Sequence, residues 1–310
     1  MACQCLRKIK GKWLSFCKYN KQRIMRSPRY LLTQRVRLFL EQGRDLNMPV
    51  GEAERIRKFL RWNLVGVFND PFVHLYNFRG YNVLRDREKD LWFVYTPEGK
   101  KLYFKRGMSR KEAVRTYRSL EEEQDLHSPH YYFFDGLTLS ENSVVADIGV
   151  AEGNFGLKIV DRVKELYLFE CDAGWIEALE ATFEPTFEPW KDKVHIVNRF
   201  VSDTTSSDTV RLDDFFRDKS VPHILKLDVE GAEVAVLEGA AAFLKEGRIS
   251  DLLVCTYHKK GDPERLSAKL ECFNYTIAFS QGYMLFLTEG YQAQPPYDFR
   301  KGLLHATYKF

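Results

Sequence analysis

VVADIGVAEGNFG (residues 144–156) decides the fold. An apolar run carrying an acid, Asp147, meets a glycine-rich turn and then opens an amphipathic segment. A buried strand, a tight turn and a helix in that order place a nucleotide-like ligand at the strand's C-terminal edge. A second stretch, HILKLDVEGAEVAVLEGA (223–240), repeats the pattern: an apolar strand delivers a carboxylate, Asp228, to the same edge and a helix follows. Two such edges close together in one sheet predict a cofactor site beside a reaction site.

The flanking sequence supports that frame. From residue 140 onward, strands are expected near 143–148, 166–170, 193–198, 222–228 and 251–257. Helices are expected at about 154–163, 173–183, 208–217, 231–245 and 263–272. Regular alternation predicts an α/β fold, a doubly wound, mostly parallel sheet with helices on both faces. YTIAFSQGYMLFL (275–287) and GLLHATYKF (302–310) read as strands with no helix between them. They predict one or two antiparallel strands at the C-terminal edge.

Upstream the pattern changes twice. Residues 1–66 read as a basic helical region, with helices at about 30–42, stopped by Gly43, and 52–65. Residues 67–126 form an aromatic module: DLWFVYT and KLYFKR flank the turn PEGK, and MSRKEAVRTYRSLEEEQDL (108–126) returns to helical spacing. Ser109 and Glu112 have the spacing of a capping box. Residues 127–310 are then the main domain.

Composition narrows the class. Across 310 residues, 45% hydrophobic and 14% aromatic content excludes wholesale disorder. No apolar run reaches the length of a membrane span, and no secretory signal is expected. Cys3, Cys5, Cys17, Cys171, Cys255 and Cys272 show neither metal spacing nor a disulfide ladder, so a reducing cytoplasm is the expected location. Eleven Lys or Arg residues and no acid precede Glu41. Leu6, Ile9, Trp13, Phe16 and Ile24 fall near one helical face among them. The plain reading is a solvated tail or a terminal helix. The functional one is peripheral contact with the inner membrane surface, with Cys3 and Cys5 available for lipidation. Nucleic acid is not expected, because the aromatics lie on the apolar face instead of forming stacking platforms.

The turn after Asp147 carries Gly149, Gly153 and Gly156, without the tight spacing that lets a backbone touch a pyrophosphate. Glu152 adds an acid there. An acidic turn suits a cationic ligand without phosphate, and S-adenosylmethionine has both a sulfonium and an amino group. Asp147 and Glu152 are expected near its amino-acid end, with Gly149 and Gly153 allowing close backbone approach. Glu170, ending the strand YLFECD, is the expected ribose ligand, and Ser202 and Asp203 are expected at the adenine. The plain alternatives are an ordinary strand–helix turn and a first-turn acid on a helix.

DIGVAEGNFG, FECD, LDDFF and ILKLDVEGAEVAVLEGA resemble the FkbM family of S-adenosylmethionine-dependent methyltransferases. The most specific string comprises Lys226, Asp228, Glu230, Gly231, Glu233, Leu237, Gly239 and Ala240. The likeness covers roughly residues 127–305. It implies a class I methyltransferase fold, Rossmann-like in topology, with Phe155 beside the cofactor turn, and methylation of a hydroxyl on a sugar or natural product. Glu152 stands where that turn commonly has a small residue.

Methyl transfer to an alcohol requires in-line alignment and removal of a proton. Asp228 is the leading base, or a ligand to a divalent cation in a metal-dependent variant. Lys226 shares its strand face and is expected to pair with it. His258, after LLVCTY, and His130, in HSPHYYF (127–133), are the further proton acceptors. Each is equally readable as a surface residue, and the acids at 230 and 233 as partners of a helix dipole.

The aromatic module and the basic N-terminus suggest a sugar acceptor, on a cell-surface glycan or its lipid-linked precursor. Two other classes fit the topology: a nucleotide-dependent oxidoreductase and a non-catalytic Rossmann-like adaptor at a membrane surface. The first lacks its glycine pattern. The second has no need of the acids Asp147, Glu170 and Asp228.

Overall fold

In the computed structural model, seven strands form one sheet in the region where strand and helix patterns alternate. The structure describes residues 27–43, 46–77, 79–133, 136–184, 189–287 and 289–310. The basic stretch through Ile24, with Cys3, Cys5 and Cys17, lies outside them. The described chain divides into two compact units: residues up to Pro71 with Tyr283–Arg300, and Phe72–Gly282 with Lys301–Phe310.

The first unit pairs helix α1 (Pro28–Gln42) with α2 (Val50–Phe59) and includes a short antiparallel pair, Met284–Phe286 with Asp298–Arg300. Ser27 caps α1 by accepting from the Tyr30 amide, and Gly43 ends it at φ 66°. The α2 helix stops several residues before the expected 65. The Asn63 side chain donates to the Phe59 carbonyl at 2.8 Å and closes the last turn.

The second unit begins with the expected aromatic module, a three-stranded antiparallel sheet of β1 (Leu84–Asp86), β2 (Leu91–Tyr95) and β3 (Lys101–Tyr103). Helix α3 (Arg110–Glu123) follows with its capping box formed. The main sheet contains β4 (Val144–Ile148), β5 (Glu165–Phe169), β6 (Val194–Val197), β7 (Ile224–Leu227), β8 (Asp251–Cys255), β9 (Tyr275–Phe279) and β10 (Leu303–Tyr308). Their order across the sheet is β9-β10-β8-β7-β4-β5-β6. The last strand enters between β8 and β9, antiparallel to both, so the remaining six all run the same way. The sheet is doubly wound, Rossmann-like and mostly parallel. The strand order reverses direction beside β4, which is where such sheets open a ligand crevice.

Strand alternation sends Val144, Ala146 and Ile148 into one core, with Leu225 and Leu227, and Val145 into the other, with Ile224 and Leu253. Asp147 and Lys226 share Val145's face. They are direct cross-strand partners in the β4–β7 register.

Two expected helices differ. Over 208–217, the β-branched pair Thr209 and Val210 joins Phe200–Val201 in a short parallel ladder, leaving a single turn at Leu212–Phe215. Over 231–245, helix α6 (Glu233–Gly239) gives way to α7 (Ala241–Lys245). Asp213 causes the break, because its carboxylate accepts from the amides of Ala242 and Phe243 at 3.1 and 3.3 Å. Gly239 is needed next to that break: a Cβ there would lie 2.1 Å from the Ser202 carbonyl oxygen.

Candidate active site at the carboxyl edge of the sheet

The turn leaving β4 crosses the end of β7 at close quarters. Gly149 sits at φ +77°, and a Cβ on it would come within 1.9 Å of the Asp228 carbonyl oxygen. Only glycine fits both the conformation and the contact. Gly153, at φ +82°, instead lets the next helix (α4, Asn154–Ile159) lie against Leu179 and Phe183 of α5 (Ala173–Thr182) and its cap. Between these glycines Ala151 is left-handed, at φ 46°. Its amide donates to Glu170 Oε2 at 2.8 Å, and the Asp172 amide donates to Oε1 at 2.7 Å. Glu170 therefore ties the β4 turn to the end of β5.

Two cavities open on this edge. One, of about 350 Å³, lies over the end of β5. It is bounded by Phe169, Glu170, Trp175, Phe200, Val201 and Val229, a mostly apolar slot with Glu170 and Asp172 on one side. The other, of about 390 Å³, is bounded by Glu123, His130, Tyr132, Glu152, Phe155 and Tyr257 and is more polar. Both are also lined by Gly149, Ala151, Asp228 and Glu230, so the two meet at the Asp228 side chain.

Asp228 holds four neighbours. The hydroxyls of Tyr132 and Tyr257 donate to Oδ2 at 2.8 Å and Oδ1 at 3.2 Å. His258 Nε2 lies 3.3 Å from Oδ1, and His130 Nε2 lies 3.7 Å from Oδ2. Burial alone would push this carboxyl up. The two histidines and the nearby Lys226 charge outweigh it and hold Asp228 well below the usual carboxylate range.

Lys226 does not pair with Asp228 as the sequence suggested. Its Nζ lies 2.8 Å from Asp147 Oδ1 and donates to the Gly149 carbonyl at 2.7 Å. The reason is register: Asp147 is its neighbour across the ladder, while Asp228 lies beyond the strand's end. Asp147 is fully buried and lines neither cavity, so it anchors the turn from below.

His258 also differs from expectation. Its Nδ1 lies 2.7 Å from Oε1 of Glu233, a carboxylate with no solvent exposure. Burial opposes charge on the ring, but Asp228 on one side and Glu233 on the other raise its pKa to about 10. At neutral pH it is an imidazolium and cannot take a proton. Glu233, read from sequence as a helix-dipole acid, is thus part of the site. Nothing in local spacing marks Tyr132 or Tyr257, which meet an aspartate 96 and 29 residues away.

Ser202 and Asp203 lie outside both cavities. The Ser202 amide joins the short ladder through Val210, and its hydroxyl donates to Asp203. Arg199, Phe200 and Val201 line the apolar cavity in their stead. Glu152 lines the polar cavity, and burial raises its carboxyl to about 7.

Residues 148–267 match the family model described as Methyltransferase FkbM domain. Over this stretch the chain is similar to the FkbM methyltransferase domain. The curated proteins contain no match to the chain. Among solved structures, a methyltransferase FkbM from Methylobacillus flagellatus KT is similar at 17% identity and a TM-score of 0.44. The match covers 64% of this chain and 54% of that one, so the chain spans about half the length of that relative. A precorrin-6y C5,15-methyltransferase from Geobacter metallireducens GS-15 is similar at 10% identity and a TM-score of 0.40, covering 70% of this chain and 97% of that one. Within the matched stretch fall Gly149, Glu170, Asp228, Glu233 and His258. His130 and Tyr132 reach Asp228 from the preceding segment.

Among the described residues, no helix is long and apolar enough to cross a membrane.

Proposed function

We propose that the chain binds S-adenosylmethionine across the meeting point of the two cavities and methylates an acceptor hydroxyl beside Asp228. The observation that carries this reading is the pair of cavities that meet at Asp228. The apolar slot suits an adenine between Phe200 and Val229, with Glu170 positioned for ribose hydroxyls. The polar cavity, with Glu152 and Asp228, suits a cationic amino-acid end. The Gly149 turn leaves room for close backbone approach. S-adenosylmethionine would supply an electrophilic methyl group and leave as a thioether.

The protein's own residues account for the rest. Asp228, held ionised, accepts the hydrogen bond of the acceptor hydroxyl and fixes its line of approach. It also stabilises positive charge developing on that oxygen, with no reorganisation at the moment of reaction. The site is geared to orientation and charge, not to strong base catalysis, since His258 is already protonated and Asp228 is a weak base. The hydroxyl proton passes by way of Asp228 to water once the methyl group has been transferred.

For the acceptor we favour a sugar hydroxyl on a cell-surface glycan or its lipid-linked precursor. Support comes from the aromatic rings around the polar cavity, Tyr132, Phe155 and Tyr257, and from the basic N-terminal sequence, which suits contact with an anionic membrane surface. Calorimetry with S-adenosylhomocysteine tests cofactor binding. A methyl-transfer assay over extracted surface glycans with mass detection tests the acceptor. Absence of binding heat would leave the adaptor reading standing. Binding without a methylated glycan would remove the glycan.

A further inference from the structure

The geometry points to a four-coordinate site for a divalent transition metal of the zinc type, built from His130, Tyr132, Asp228 and Cys255. His130 Nε2 lies 3.4 Å from Cys255 Sγ and 3.7 Å from Asp228 Oδ2. Tyr132 Oη lies 2.8 Å from the same Oδ2, 3.4 Å from the same Nε2 and 3.8 Å from Sγ. The imidazole, carboxylate and sulfur donors all lie within 4.8 Å of one another. The five distances given among these four atoms run from 2.8 to 3.8 Å, the range spanned by the edges of a tetrahedral ligand set. A regular tetrahedron with edges of about 3.4 Å has its centre about 2.1 Å from each corner, the length of a Zn–N or Zn–O bond, and Zn–S needs only about 0.2 Å more.

The surroundings are those of a metal centre. His130 is 4% exposed, and its other ring nitrogen, Nδ1, is buried with no hydrogen-bond partner. Glu123 Oε2 stands 3.9 Å from that nitrogen, so a small movement gives the carboxylate–histidine pairing that orients metal-bound imidazoles. On the far side, His258 and Tyr257 hold Asp228 through Oδ1, leaving Oδ2 turned toward the other donors. Lys226 does not oppose the ion strongly, because its charge is matched by Asp147. An imidazole and a sulfur in the set favour zinc or cobalt over magnesium or calcium, which take oxygen donors. Binding forms a sulfur–metal bond and releases the Cys255 thiol proton to solvent. The neutral Tyr132 hydroxyl is the weakest of the four donors and the one an incoming oxygen ligand would replace.

Co²⁺ titration of chelator-stripped full-length protein tests this. The expected result is uptake of a single equivalent, with the visible bands of a tetrahedral cobalt ion and a thiolate-to-cobalt charge-transfer band in the near ultraviolet. Cys255→Ser should abolish the charge-transfer band, and Glu123→Gln should weaken uptake by about ten- to a hundredfold. Cys171→Ser, Cys272→Ser and joint serine replacement of Cys3, Cys5 and Cys17 should leave both unchanged. A wild-type protein that shows no charge-transfer band overturns the proposal, whatever the variants do. So does a band that persists in Cys255→Ser. Neither outcome bears on S-adenosylhomocysteine binding, which stands or fails separately.

Discussion

His258 lies with its Nδ1 2.7 Å from Glu233 Oε1, and the Glu233 side chain is wholly buried. Asp228 flanks the ring's other nitrogen, so the imidazolium is held between two carboxylates at the sheet edge. Its pKa is raised to about 10 from an ordinary 6.5. A raised folded-state pKa gives stability that is fully present below the unfolded value and lost as pH rises through the folded one. In chelator-treated protein, Glu233→Gln is expected to cost about 1–3 kcal/mol at pH 7, a penalty that shrinks as pH approaches 10. Denaturant melts at both pH values, with His258 titrated by NMR, check this. A ring that titrates near 6.5 in the wild type would contradict it.

Glu170 is expected to control cofactor affinity through two effects at once. Its carboxylate accepts from the Ala151 and Asp172 amides and faces the apolar cavity. Glu170→Ala should weaken S-adenosylhomocysteine at least about tenfold, or about 1.4 kcal/mol. Calorimetry reads this directly, and unchanged affinity would place the nucleoside elsewhere.

Gly149 and Gly261 make a matched pair. Both are left-handed, at φ +77° and +81°, but a Cβ at Gly261 meets nothing within 4 Å while one at Gly149 would strike the Asp228 carbonyl. Gly261→Ala should cost only the backbone strain, about 1 kcal/mol. Gly149→Ala should cost more and also remove S-adenosylhomocysteine binding. Equal melting temperatures in the two variants would show that the crossing of β4 and β7 is loose.

Glu152 titrates near neutrality, raised to about 7 by burial. As pH rises through 7 it becomes negative, and attraction for a cationic ligand increases. S-adenosylmethionine affinity should therefore strengthen between about pH 6 and 8, and Glu152→Gln should flatten the profile. Calorimetry across that range decides, and a flat wild-type profile would take Glu152 out of the site.

Much of this was legible in the chain because it was local. Buried strands appear as apolar runs, the Ser109 capping box as a four-residue spacing, and the Gly149 turn as strand, glycine and helix in sequence. What the sequence hid depends on register and on distance. Lys226 pairs with Asp147 and not Asp228 because of how β4 and β7 align, 79 residues apart in the chain. The charge on His258 follows from a carboxylate 25 residues away. The α6–α7 break follows from Asp213, which caps from a separate segment. Ser202 reads as a ligand in sequence, yet its carbonyl packs on Gly239. The expected antiparallel ending is present, although its final strand lies inside the sheet and not along its rim.

That last placement has a consequence for how the molecule is made. Residues 303–308 bridge β8 and β9, so neither acquires its shared neighbour until synthesis has passed residue 308. Clipping those few residues would open a gap through the middle of the sheet and leave two strands with unsatisfied amides, a far graver injury than trimming an outer border.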